Sequence, residues 1–168
     1  MSFSPVPKYM FSTTTDISAE FIQKLGIDFL MLDLDNTVAR YGENTLREDI
    51  AKWARSLQDS GISLFIVSNS HKQTRVDAFA KALGVEYVNA AGKPSPSGVL
   101  RAMEIAGADK RSAALVGDQV YTDAMAANSS GVISITVRPL SLRNPLLAVR
   151  YFLELPFRAV CPNKMWRE

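Results

Sequence analysis

The stretch Ile27-Asp28-Phe29-Leu30-Met31-Leu32-Asp33-Leu34-Asp35-Asn36-Thr37 passes from a nearly continuous apolar run into a pair of carboxylates. A short run of this kind is the pattern of a strand buried on both faces, and whatever follows it emerges at the strand's end. Four more such runs occupy residues 62–67, 85–88, 113–116 and 132–137. Three of them also lead into polar chemistry. Ser68-Asn69-Ser70 follows the second run, Gly92-Lys93-Pro94 comes a few residues after the third, and Gly117-Asp118-Gln119-Val120-Tyr121-Thr122-Asp123 follows the fourth.

The intervening stretches have helical spacing. Leu46, Ile50, Trp53, Ala54 and Leu57 recur at the period of a helix, with a Thr45/Glu48 capping box before them and Gly61 behind. Val76, Phe79, Ala80 and Leu83 repeat the pattern ahead of Gly84, and Ser95-Pro96 offers an N-cap and first-turn proline for a helix ending at Gly107. Strands joined by helices require crossovers, so the expected class is α/β: a mostly parallel sheet of about five strands, with helices on both faces. Ligands of such sheets bind beyond the carboxyl ends of the strands, which is where all four polar segments are expected to gather.

With 168 residues, 47% hydrophobic and 21% charged, the chain reads as one ordinary globular domain over 1–168. A lone cysteine, Cys161, permits no internal disulfide and fits a reducing compartment, so a cytoplasmic location is expected. Residues 1–10 contain Pro5 and Pro7 and no continuous apolar core, unlike a secretion signal. No run approaches the roughly 20 apolar residues of a membrane span. Net charge is +2 but uneven: residues 1–137 hold 13 Lys/Arg against 15 Asp/Glu, and residues 138–168 hold 6 against 2. An acidic body with a basic tail argues against a broad nucleic-acid-binding face and for one local attraction to anions.

Asp33 and Asp35 are two positions apart, so on a continuing strand both carboxylates lean to one side. Two carboxylates there can divide a phosphoryl transfer, one attacking phosphorus and the other handling the proton. Asp118 and Asp123 bring further negative charge to the same edge. Hard oxygen donors without a His or Cys cluster favour Mg²⁺ to hold such charges together. Lys93 is a compact positive charge for phosphoryl oxygens, and Ser68 with the backbone N–H groups after it can cradle them. His71, a lone histidine beside the phosphate segment, reads as structural or solvated, and Cys161 lacks the surroundings of a nucleophile.

Taken together, these segments resemble the motif quartet of the haloacid dehalogenase (HAD) superfamily of Mg²⁺-dependent phosphatases. The resemblance implies a three-layer Rossmann-like fold in which Asp33 is nucleophile and metal ligand. Asp35 is then the general acid/base, also offering its main-chain carbonyl to the metal. Ser68, Asn69 and Lys93 bind phosphate, Asp118 is a metal ligand and Asp123 a supporting acid. The same segments, with a short leading helix over 17–25, further resemble the YqeG-like branch of subfamily IIIA, which is similar to the mitochondrial phosphatidylglycerophosphate phosphatases. That branch implies hydrolysis of phosphatidylglycerophosphate to phosphatidylglycerol.

Thirty-five positions separate Asp33 from Ser68 and 25 separate Ser68 from Lys93. A helix and a strand use most of each interval, so no large cap domain fits and the site should be open. An open site suits a phosphate carried on a protein, a polymer or a membrane, unless a homo-oligomer supplies the missing wall. Within the tail, 139–168, Leu146, Leu147, Val149, Phe152, Leu153, Leu155 and Phe157 alternate with Arg143, Arg150 and Arg158. This basic amphipathic stretch suits peripheral contact with the inner, anionic face of a membrane, or packing on the body or a partner. Competing readings are a phosphatase of phosphoproteins, sugar phosphates or nucleotides, and a non-catalytic Mg²⁺-binding interaction module.

Overall fold

A computed structural model of the chain describes residues 4–165. Residues 1–3 and 166–168 of the expected 1–168 domain, including Arg167 of the basic tail, lie outside the described residues. Seven strands, β1 (Tyr9–Met10), β2 (Phe29–Leu32), β3 (Ser63–Val67), β4 (Glu86–Val88), β5 (Ala113–Gly117), β6 (Ile133–Thr136) and β7 (Asn163–Lys164), form one sheet in the order β4-β3-β2-β5-β6-β1-β7. Every neighbouring pair is parallel.

The five middle strands are the five apolar runs. Sequence pattern missed β1 and β7, which extend the sheet from the expected five strands to seven. Two residues cannot display a period, and both are defined by pairing: Tyr9 stands level with Ile135 on one side and Asn163 on the other.

β2 is buried on both faces because its side chains feed two cores. Leu30 and Leu32 join Ile22 of α1 (Ala19–Lys24), Trp53 and Leu57 of α2 (Glu48–Asp59) and Phe79 of α3 (Gln73–Leu83). Phe29 and Met31 join Val99 and Met103 of α4 (Ser97–Ala106) and Ala126 of α5 (Met125–Ser130). The result is the expected three layers. Trp53 fixes the α2 side by donating its indole N–H to the Ile17 carbonyl at 2.8 Å, and Tyr9 and Phe11 pack edge-on against Phe21 to seat α1.

Two helix starts differ from expectation. Helix α2 begins at Glu48 after Arg47, without the Thr45/Glu48 box; Arg47 instead engages Asp49, whose other oxygen accepts the Ile50 amide. Helix α4 begins one residue beyond the Pro96 boundary, where the Ser95 hydroxyl accepts the Ser97 amide at 3.3 Å. Gly61, Gly84 and Gly107 do end their helices with left-handed φ.

The register is what positions chemistry. Leu32 lies level with Ile66 of β3 and Val116 of β5, so Asp33, Ser68 and Asp118 leave the sheet at one edge. Strand order reverses there, between β2 and β5, a place where parallel sheets open a crevice for ligands. Between Asp33 and Lys93 the chain contributes only α2, β3, α3 and β4 with their loops, and no large cap is inserted.

Because Leu30 is fully buried within β2, a strand paired on both edges, Leu30→Ala should cost about 2–5 kcal/mol. Urea unfolding followed by circular dichroism measures it, and a loss under about 1 kcal/mol would contradict this packing.

Candidate active site

Asp33 is held just beyond β2 by donating its amide to the Val116 carbonyl at 2.8 Å. Two residues past Asp35's neighbour Leu34, Asn36 adopts φ 61°, a left-handed conformation that asparagine tolerates. This folds the motif back so that the Asn36 amide donates to the Ala39 carbonyl at 2.6 Å. Thr37 thereby comes alongside Asp33, its hydroxyl 3.4 Å from Asp33 Oδ2.

Lys93 arrives from the loop after β4. Its Nζ donates to Asp33 Oδ1 at 2.6 Å and to the Val67 carbonyl at 2.8 Å, and lies 2.6 Å from Asp123 Oδ1. An ammonium has three protons, and each here faces an oxygen. Asn69 fixes the lysine backbone reciprocally, donating Nδ2–H to the Lys93 carbonyl and accepting the Lys93 amide, both at 2.9 Å. The buried Ser68 hydroxyl, next along the same loop, accepts the Ser70 amide at 3.1 Å.

Asp123 stands on a π-helical turn, Val120–Ala124, directly after the β5 exit, and its Oδ2 accepts the Gln119 amide at 3.0 Å. It packs so tightly on Gly117 that a Cβ there would lie 2.3 Å from Asp123 Cγ. Only glycine leaves that room. Asp118 is buried with Oδ1 unpartnered. One carboxylate oxygen from each of Asp33, Asp118 and Asp123 lies within 4.8 Å of the other two.

Three buried acids thus face one ammonium. Burial pushes the Asp33 carboxyl up to about 7, with Lys93 opposing that rise and Asp123 adding to it. Burial, then the charges of Asp33, Asp123 and Glu154, holds Asp118 well above the usual carboxylate range. Burial alone would lower Lys93, but Asp123 and Asp33 outweigh it and raise the ammonium above its ordinary value. A buried carboxylate oxygen without a donor, in an all-oxygen set short of positive charge, fits a hard divalent cation.

Asp35 is turned to another partner. Its Oδ1 lies 2.9 Å from Arg75 Nη1, and Arg75 is anchored by donating Nε–H to the Glu43 carbonyl at 2.8 Å and by lying over the Phe79 ring. Asp33, Asp35, Asn69, Arg75 and Lys93 all line one cavity of about 400 Å³, with His71 on the same wall and Leu147 and Arg150 contributed by α6 (Pro145–Ala159). Of the predicted residues, Asp33, Asp35, Asn69 and Lys93 line this cavity; Ser68 is the chain neighbour of Asn69, and Asp118 and Asp123 join the group through Asp33 and Lys93 rather than through the cavity lining.

Sequence pattern missed Arg75, whose place on the second residue pair of α3 carried no signal. It also misplaced Arg158, expected on a basic outward face. Arg158 is buried, bonded to Glu154 Oε2 at 3.0 Å, to the Val137 carbonyl at 3.2 Å and to the Asp118 carbonyl. A desolvated guanidinium requires such partners, and the Glu154/Arg158 spacing of four was the available clue.

A parallel sheet with its acids at the carboxyl edge and a lysine between them defines a hydrolase class. The chain belongs to the haloacid dehalogenase-like hydrolase family, whose pattern matches residues 8–131. It is 28% identical over 125 residues to a Bacillus subtilis protein described as the probable phosphatase YqeG, covering 74% of this chain and 72% of that one. Its fold is similar to the 3-deoxy-D-manno-octulosonate 8-phosphate phosphatase of Yersinia pestis, with TM-score 0.57, 18% identity, and 85% and 74% of the two chains covered. The same enzyme from Moraxella catarrhalis, in complex with magnesium, phosphate and KDO, superposes with TM-score 0.50 at 16% identity over 83% and 95% of the chains.

The folded chain retains a proton on Asp33 up to about pH 7 that the unfolded chain releases near 3.8. Without divalent ions, stability should therefore fall as pH rises through that window. Asp118→Asn removes one of the opposing charges, so it should raise the metal-free Tm at pH 8 while reducing the stabilisation that Mg²⁺ gives; thermal melts with and without Mg²⁺ at pH 5 and 8 read both. Lys93→Met should cost about 3–5 kcal/mol at pH 8 and less at pH 5, where the abandoned acids can protonate. Equal losses at the two pH values in urea titrations would contradict the charge cluster.

Proposed function

We propose that this chain is a Mg²⁺-dependent phosphomonoesterase acting through an aspartyl-phosphate on Asp33, with phosphatidylglycerophosphate as substrate and phosphatidylglycerol as product. The observation that carries the reaction class is the buried group of Asp33, Asp118 and Asp123 closed by Lys93. A nucleophilic carboxylate, a place for a cation and a fixed positive charge stand within one hydrogen-bonded set under an open cavity.

In the first step the Asp33 carboxylate attacks phosphorus, the ester P–O bond breaks, and Asp35 gives its proton to the departing oxygen. Water then attacks the same phosphorus while Asp35 takes its proton, the bond to Asp33 breaks, and inorganic phosphate leaves. Lys93 offsets charge on the phosphoryl oxygens, and Ser68 and Asn69 hold the loop that faces them. Asp33, Asp118 and the main-chain carbonyl of Asp35 would hold Mg²⁺, with Asp123 in support; the ion supplies further charge neutralisation when bound. Arg75 sets the direction in which the Asp35 carboxyl faces.

For the substrate, support comes from the motif resemblance to the phosphatidylglycerophosphate phosphatases and from the cavity itself. It lacks a cap, and Leu147 and Arg150 give it one apolar and cationic wall, suited to an anionic lipid presented from a surface. This reading places the enzyme in the cytoplasm, at the inner face of a membrane.

Purified protein with Mg²⁺ should release phosphate from detergent-dispersed phosphatidylglycerophosphate faster than from sugar, nucleotide or peptide phosphates, and from an aryl phosphate in all cases. Asp33→Asn should reduce turnover to background, and Asp35→Asn should lower it about 10²–10⁴-fold. Native rates in Asp33→Asn would remove the enzyme mechanism, whereas preference for a sugar phosphate would replace only the substrate.

A further inference from the structure

Helix α6 is built inside out. Its row Leu147, Tyr151, Glu154 and Arg158, spaced by three and four, faces the body, and Glu154 and Arg158 are only 1% and 4% exposed. Glu154 Oε1 accepts the Tyr121 amide at 3.2 Å, and Arg158 holds the carbonyls of Asp118 and Val137. The opposite face is apolar and open: Leu146 is 76% exposed, Val160 63%, and Phe152 and Leu153 62% each, with Val149 and Leu155 among them. Of the eleven large hydrophobic residues exposed among the described residues, eight fall between Leu142 and Met165. Turning the helix to hide them would strand the Glu154–Arg158 pair and release its bonds to the segment carrying Asp118. The exposure is thus fixed by the fold.

We propose that this outward face of α6 is the surface on which the chain docks to an anionic lipid bilayer. The charges around it select that occupant. The sole acid of the helix, Glu154, is turned inward and neutralised by Arg158, while Arg143 is exposed just before the helix and Arg150 is half-buried on it. An apolar face bordered by cations, with no outward carboxylate, complements acyl chains beneath anionic headgroups. A second copy seated on the same face would bring like charges together. Fifteen residues, about 22 Å long, suit a helix lying in the headgroup plane, and no helix among the described residues is long and apolar enough to cross a membrane. Leu147 and Arg150 line the cavity over Asp33, so the helix that docks also supplies one wall of the site.

This inference rests on the phosphomonoesterase reading for its purpose, but not for its test. Full-length protein is sedimented with vesicles of phosphatidylcholine alone or with phosphatidylglycerol added, at low and high salt, next to Val149→Ser/Phe152→Ser/Leu153→Ser. Native protein should bind the mixed vesicles, more weakly at high salt, and the triple variant should bind at least about tenfold less while keeping its melting temperature and its aryl-phosphate turnover. No binding by native protein, equal binding by the variant, or a concentration-dependent dimer that the variant abolishes without any vesicle binding would each overturn the proposal. Loss of aryl-phosphate turnover in native protein would instead strike the enzymatic reading and leave docking standing.

Discussion

One buried ammonium organises this molecule. Lys93 Nζ touches carboxylates from two different strand exits, Asp33 and Asp123, and the carbonyl of Val67 at a third. Removing such a group from water costs several kcal/mol unless every proton is matched and the opposing charge is close. Much of the local architecture serves that matching. The β2–β3 and β2–β5 registers bring the exits level, Asn69 clamps the lysine backbone, and Gly117 vacates the space that Asp123 fills. The acids still outnumber the ammonium, and the imbalance is the physical basis for a cation at the site.

Much of this was legible in the chain because it follows from alternation. Five apolar runs, each punctuated by a polar segment, predict which residues reach the crevice, and Asp33, Lys93, Asp118 and Asp123 do meet there. What pattern could not supply was anything decided by contacts between distant segments. Strands β1 and β7 exist only through pairing with β6 and with each other, and Arg75 reaches Asp35 only because α3 folds over the loop that follows it. Helix starts depart for a related reason: Thr45 has the right side chain for a cap, yet the neighbouring Arg47–Asp49 pair sets the first turn of α2, whereas Ser95 does accept the Ser97 amide at the start of α4.

The C-terminal helix is the most instructive departure. Hydrophobic residues at helical spacing ordinarily mean a buried face, yet here the buried row is the polar one. Glu154 and Arg158 satisfy each other and then backbone groups of the turn that begins at Asp118, so the inward face stabilises by hydrogen bonding in a desolvated place. Tyr121 adds to this seam, its ring edge-on to Phe157 and its hydroxyl donating to the Leu153 carbonyl at 3.2 Å. The inward row of α6 thus supports the segment that carries Asp118, and the same helix leaves its apolar face outside.

The all-parallel order has a consequence for synthesis on the ribosome. Strand β2 acquires its first neighbour, β3, soon after it is made, but its other edge stays unpaired until β5, residues 113–117, has been translated. For that interval the nascent chain holds a sheet of two and then three strands with one open apolar edge and two incomplete cores, a species prone to self-association and to capture by chaperones. Growth of the catalytic crevice and protection of that edge are completed by the same strand.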